Sequence, residues 1–243
     1  MRVKLTVAYD GTAYHGWQVQ PNGITIEEVL NKELTEFFEQ DIKVLGASRT
    51  DSGVHSLGNV AIFDVDSCME PTRISYALNT RLPKDIVVVD SCKVDDDWHP
   101  HFVDSLKTYK YRILNTTFED PIRRLYTYHY HYDLDIEAML RAAKYFEGTH
   151  DFRSFCSVKA QVNTFTRTLK EVSVNRQDDE IVVKCTGDGF LYNMVRIIVG
   201  TLIKVGEGNI KPEEIEGIIE AKDRACAGPT APAHGLTLVG IKY

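Results

Sequence analysis

The 243-residue chain lacks any uninterrupted apolar run near the roughly 20 residues that a membrane span needs. Its longest stretch, Val195 to Val205, is broken by Arg196 and Lys204. Nor does the start read as a signal peptide. Residues 1–10 alternate polar and apolar with no h-region or small-residue cleavage site, so they read as a strand and the expected compartment is the cytoplasm. Cysteine is scarce: five, widely and irregularly spaced and without a C-x-x-C pair, which excludes a recognisable zinc or redox motif and suggests buried free thiols. Gly187-Asp188-Gly189 and Gly206-Glu207-Gly208 lack the third glycine of a dinucleotide fingerprint and read as turns. Low-complexity segments and long linkers are missing too.

What is there is an ordinary globular composition, 43% hydrophobic and 26% charged, with enough length for one large domain or two smaller ones. The net charge of −7 is unevenly spread. Residues 1–100 hold 9 basic and 16 acidic groups, residues 101–170 hold 11 and 8, and residues 171–243 hold 8 and 11. A basic middle can still face a polyanion, because screening confines the field of the acidic parts to about 8 Å at physiological salt.

Periodicity sets the elements. Arg2 to Tyr9 alternates as a strand, and Thr25 to Gln40 carries Ile26, Val29, Leu30, Leu34, Phe37 and Phe38 at helical spacing behind a Thr25–Glu28 capping signature. An extended run near Val54 to Val65, a helix from Pro71 to Leu78 and a strand at Ile86 to Val94 follow. The second part offers a strand at Lys107 to Leu114, a helix at Asp135 to Phe146 and a hairpin around Gln177-Asp178-Asp179. A long apolar helix at Leu191 to Val205, a short one after Pro212 and a closing strand at Gly235 to Tyr243 complete it. Hairpins mixed with helices favour α+β with largely antiparallel sheets, built as two ferredoxin-like (RRM-like) halves at 1–104 and 105–243.

Two clusters could carry chemistry. Gly46 to Ser56 places Arg49, Thr50 and Asp51 between glycines ahead of an apolar strand, in a loop that a substrate can approach closely. A lone loop Asp usually serves a turn or cap. If buried, Asp51 requires a cation, and Arg196 in an otherwise apolar helix is the candidate. In Lys107 to Arg112, period 2 puts Lys107, Tyr109 and Tyr111 on one face and Lys110 and Arg112 on the other. That pattern suits stacked bases and phosphates, and equally a strand with one packed aromatic face. Trp17 and Trp98 could stack on bases or pack, and Arg123-Arg124 reads as a solvated pair or an RNA contact. His99-x-His101 and His129-x-His131 have no Cys or carboxylate motif to complete a metal site.

Together these residues resemble the bacterial TruA family of tRNA pseudouridine synthases along nearly the whole chain. The matching motifs are Tyr9 to Gln18, Arg49 to His55, Lys107 to Tyr111, Phe190 to Gly200 and Thr230 to Leu236. The resemblance implies a pseudouridine synthase fold with its halves packed side by side around a central cleft. It implies isomerisation of uridine to pseudouridine at positions 38 to 40 of the tRNA anticodon stem-loop, without cofactor or metal, by a homodimer. Asp51 is then the essential carboxylate, Tyr109 stacks on the flipped uracil, Arg196 pairs with Asp51 and Arg49 fills the place of the extruded base. Lys107, Thr50, Tyr111 and Leu191 are the further substrate-binding residues. His99-Pro100-His101-Phe102 stands where many members have His-Ala-Arg-Phe, which opens the substrate to question. The alternatives are a paralogue acting on another RNA such as rRNA, and a non-catalytic RNA-binding module; a glycosidase lacks a clear second acid near Asp51.

Overall fold

In the computed structural model, which describes residues 1–158 and 163–243, the chain forms two units, Met1–Ser105 with Thr237–Tyr243, and Leu106–Leu236. The first opens with β1 (Arg2–Tyr9), whose alternate residues Val3, Leu5, Val7 and Tyr9 are buried, as the period-2 pattern requires. Helix α1 (Ile26–Phe38) starts where Thr25 accepts the Glu28 N–H at 3.3 Å, and it lays Ile26, Leu30 and Leu34 onto β1. Then come β2 (Leu45–Gly46), β3 (His55–Asp64), a 3₁₀ turn at Pro71–Arg73 running into α2 (Ile74–Asn79), and β4 (Ile86–Val94). β1 pairs antiparallel with β3 on one side and β4 on the other, and β2 pairs antiparallel with β3.

The second unit begins with β5 (Leu106–Leu114), which pairs antiparallel with β9 (Glu180–Gly187). β9 forms the expected hairpin with β8 (Thr166–Gln177), turning at Asp178 with φ 53°. The short strands β6 (Tyr128–His129) and β7 (Gly148–Asp151) add to β5 and β8 respectively. Helix α3 (Ile136–Lys144) is capped by Asp135, α4 (Met194–Gly206) is buried along most of its length, and α5 (Glu214–Ala221) follows Pro212.

Most pairings are antiparallel, so the fold class is α+β. The C-terminal strand β10 (Leu236–Lys242) corrects the division at 105–243. It pairs parallel with β3, Thr237 opposite His55 and Leu238 opposite Ser56, and from Thr237 onward belongs to the first unit. Long-range strand pairing overrides chain adjacency here. A second correction concerns the thiols: Cys156 and Cys185 are buried and Cys92 is half-buried, but Cys68, in a loop, and Cys226, at the end of a 3₁₀ turn, are exposed. Both tryptophans have packing partners. Trp17 is buried, and Trp98 meets Tyr243 edge-on at 5.0 Å with Lys4 Nζ over its ring. Arg123 is not merely solvated but bridges Asp120, Asp179 and Glu180.

Candidate active site

The first unit holds Arg49, Thr50 and Asp51 on the loop between β2 and β3. Arg49 is exposed, Asp51 half-buried, and Thr50 only 7% exposed. The segment after β1 forms the mould of this loop. Trp17 N–H donates to Thr50 O at 3.1 Å, while Gly53 N–H and Ser52 Oγ both donate to Tyr14 O at 3.3 Å. Within the loop, Val54 N–H closes onto Asp51 O at 3.1 Å, and Gly53 supplies the left-handed φ of 76° that the turn needs. Below it, His55 Nδ1 accepts the Gly11 N–H at 3.0 Å and lies 3.1 Å from Asp10 Oδ1. The carboxylate is therefore carried on a backbone fixed on both sides, as charged-group chemistry requires.

The second unit holds the others. On β5 the expected alternation is present: Tyr109 and Tyr111 are buried, Lys110 and Arg112 exposed. Tyr109, 6% exposed, meets the edge of Phe190 at 5.1 Å, which brings the tyrosine strand against the entry to α4. Lys107 is partly buried. Its ammonium is pushed below the usual lysine range, first by desolvation and then by the charge of Arg167. Tyr111 is 0% exposed with its hydroxyl donating to Pro232 O at 2.8 Å, and burial raises its phenol far above the ordinary value. Leu191 is buried, its N–H directed at Met194 Sδ.

Arg196 lies in the first turn of α4. Its Nε donates to Ala231 O at 2.8 Å and its Nη1 to Asn193 Oδ1 at 2.7 Å. These two acceptors fix the direction of the guanidinium. Gly200, one turn further on, lets the loop over the helix come close enough to supply the Ala231 carbonyl: a Cβ there meets Pro229 O at 1.8 Å. What residue-by-residue reading left without a role is the mould itself, Tyr9, Tyr14, Gly16 and Trp17. Its signal was the dense glycine and aromatic pattern of residues 9–18. Among the described residues no group of three or more His, Cys, Asp or Glu is placed to hold a metal ion.

Each unit thus carries a charged group on a fixed backbone, Asp51 on its loop in the first and Arg196 on its helix in the second, the residue types that charged-group chemistry on a polar substrate uses. Comparison with known proteins narrows that class. The chain matches the family described as tRNA pseudouridine synthase over residues 5–103 and 142–243. It is 48% identical over 241 residues to tRNA pseudouridine synthase A of Acetivibrio thermocellus, covering 99% of each chain. Identity is 45% to the protein of that name in Thermoanaerobacter pseudethanolicus and 43% to tRNA pseudouridine synthase A 2 of Clostridium perfringens, again over 99% of each chain. The chain belongs to the tRNA pseudouridine synthase family.

Proposed function

We propose that this chain isomerises uridine to pseudouridine in the anticodon stem-loop of tRNA, at positions 38 to 40, and that Asp51 is its essential carboxylate. The observation that carries the reading is end-to-end similarity to proteins named tRNA pseudouridine synthase A, with Asp51 inside the residues 5–103 that match the family. The reaction breaks the bond between the ribose C1′ and uracil N1, turns the base and joins C1′ to C5; the C5 proton leaves and N1 gains one. Mass and oxidation state are conserved, so the stoichiometry calls for no redox partner or group donor. Asp51 attacks the sugar or assists departure of the base, which calls for an ionised, aimed carboxylate. Arg196 is the permanent cation that keeps it ionised, and Tyr109 stacks on the extruded uracil. Arg49 fills the space the base leaves, Lys107 contacts phosphate and Leu191 supplies an apolar wall.

A homodimer in the cytoplasm fits this reading, since it presents two basic middle segments to one RNA while screening confines the field of the acidic parts. No described helix is long and apolar enough to cross a membrane. The test is purified protein on unmodified tRNA transcript, read for pseudouridine at single-nucleotide resolution, with Asp51→Asn alongside. Wild-type-only product in the anticodon arm supports the reading. Product on other RNA alone moves the substrate, and product from Asp51→Asn removes the assigned carboxylate.

A further inference from the structure

Tyr9 closes β1 at a place where the sheet is irregular. Val7 faces Asn59 on β3 while Tyr9 faces Ser56, so β3 carries one residue more than β1 beside the end of the Asp51 loop. Such bulges re-aim the chain next to functional sites. Tyr9 itself is held on both sides, opposite Ser56 on β3 and Ile86 on β4, and is 4% exposed, with its ring 6.0 Å from that of Trp17. Its hydroxyl lies 2.7 Å from Thr50 Oγ1, a buried hydrogen bond. Trp17 N–H holds the Thr50 carbonyl from the same side. Thr50 is thus pinned through side chain and backbone, and the next residue is Asp51.

We propose that Tyr9 is a positioning residue for the reaction, setting the aim of the Asp51 carboxylate through Thr50. The inference rests on the assignment of Asp51 above. With Thr50 pinned and the Asp51 carbonyl tied to Val54 N–H, the backbone that carries the carboxylate is held on both sides of the Asp51 Cα. Thr50, whose hydroxyl faces inward onto Tyr9, belongs on this reading to the support of the site and not to its substrate-facing surface. Loss of the pin lets the loop drift by fractions of an ångström, enough to cost a reaction that depends on near-attack geometry.

The experiment compares Tyr9→Phe, Thr50→Val, Thr50→Ser and the Tyr9→Phe/Thr50→Val double variant. It measures single-turnover rate on a tRNA transcript, RNA affinity by filter binding, and melting temperature. Tyr9→Phe keeps the ring against Trp17 and removes only the hydroxyl. The expected result is a fall in rate of about 10- to 100-fold for Tyr9→Phe and Thr50→Val, with affinity within about twofold. The double variant should be no slower than the worse single one, and Thr50→Ser, which keeps the hydroxyl, should recover most of the rate lost by Thr50→Val. A lowered melting temperature with unchanged rate overturns the proposal, as do multiplicative effects in the double variant or a loss of affinity that accounts for the loss of rate. Asp51→Asn is run in parallel: if it stays active, the functional assignment fails instead.

Discussion

Arg196 and Ala231 hold each other in both directions: the guanidinium Nε donates to Ala231 O at 2.8 Å, and the Ala231 N–H donates to Arg196 O at 3.1 Å. This pair joins the first turn of α4 to the Thr230–Leu236 segment. It makes the direction of the guanidinium depend on how closely that segment approaches the helix.

Gly200 sets that approach. In an exposed helix interior, alanine is preferred to glycine by up to about 1 kcal/mol. Here a Cβ meets the Pro229 carbonyl at 1.8 Å, a backbone atom that cannot rotate away. Gly200→Ala should therefore destabilise the fold by about 1–3 kcal/mol despite the gain in propensity, and lower the turnover of the folded fraction. Urea unfolding with single-turnover assays checks this; a variant as stable and active as the parent contradicts it. Arg196→Lys should also be damaging, by roughly 100-fold in rate, because one ammonium cannot engage both Ala231 O and Asn193 Oδ1 in fixed directions.

Acid should weaken the second unit through Arg123. Asp179 and Asp120 are both held below the usual carboxylate range, first by their hydrogen bonds to the Arg123 guanidinium. A carboxylate whose folded value is depressed stabilises the fold above its unfolded value of about 4, and that stabilisation is lost as the pH falls through the folded value. Arg123→Met should then lower the urea midpoint more at about pH 7 than below about pH 3.5. An equal deficit at both values would show that Arg123 acts by packing alone.

How much of this was legible beforehand follows from the range of the interactions. Val3, Leu5, Val7 and Tyr9 announce β1, Thr25 announces the start of α1, and Tyr109 and Tyr111 against Lys110 and Arg112 announce β5, because each signal is local periodicity or a cap. β2, β6 and β7, at two, two and four residues, are too short to show a period. β10 is readable as a strand, but its place beside β3 depends on a partner far away in sequence. The same holds in the site. The Asp51 loop is visible as a motif, yet Thr50 and Tyr111, both expected on the substrate, turn their hydroxyls onto Tyr9 and Pro232, at separations of 41 and 121 residues.

Thiol reactivity should divide the cysteines sharply. Cys185 on β9 is fully buried opposite Tyr109, and desolvation pushes its thiol up to about 12, so the reactive thiolate is scarce at neutral pH. Cys156 is shifted in the same direction by burial. Cys68 and Cys226 are exposed. A disulfide-exchange reagent at neutral pH should label Cys68 and Cys226 quickly and Cys185 only on unfolding, as peptide mapping would show. Rapid labelling of Cys185 in the native protein would mean that β5 and β9 separate readily.

The sharpest backbone test lies at Gly16. Its φ of 87° is in the left-handed region, and a Cβ there meets Thr50 O at 2.5 Å and Asp51 C at 3.0 Å. Two penalties coincide: strain of about 1–3 kcal/mol for a side chain at that φ, and displacement of the peptide that carries the carboxylate. Gly16→Ala should accordingly lower both stability and rate. The stability loss alone would leave the folded fraction fully active, so the rate is measured under conditions where the melting curve shows the variant to be folded. A reduced single-turnover rate there, with RNA affinity preserved, identifies the displaced loop as the cause. An undiminished rate would mean that the Thr50–Asp51 peptide can move without cost to the reaction, and would weaken the case for Tyr9 as well, since its hydrogen bond to the Thr50 hydroxyl is argued to act by holding that same stretch of backbone.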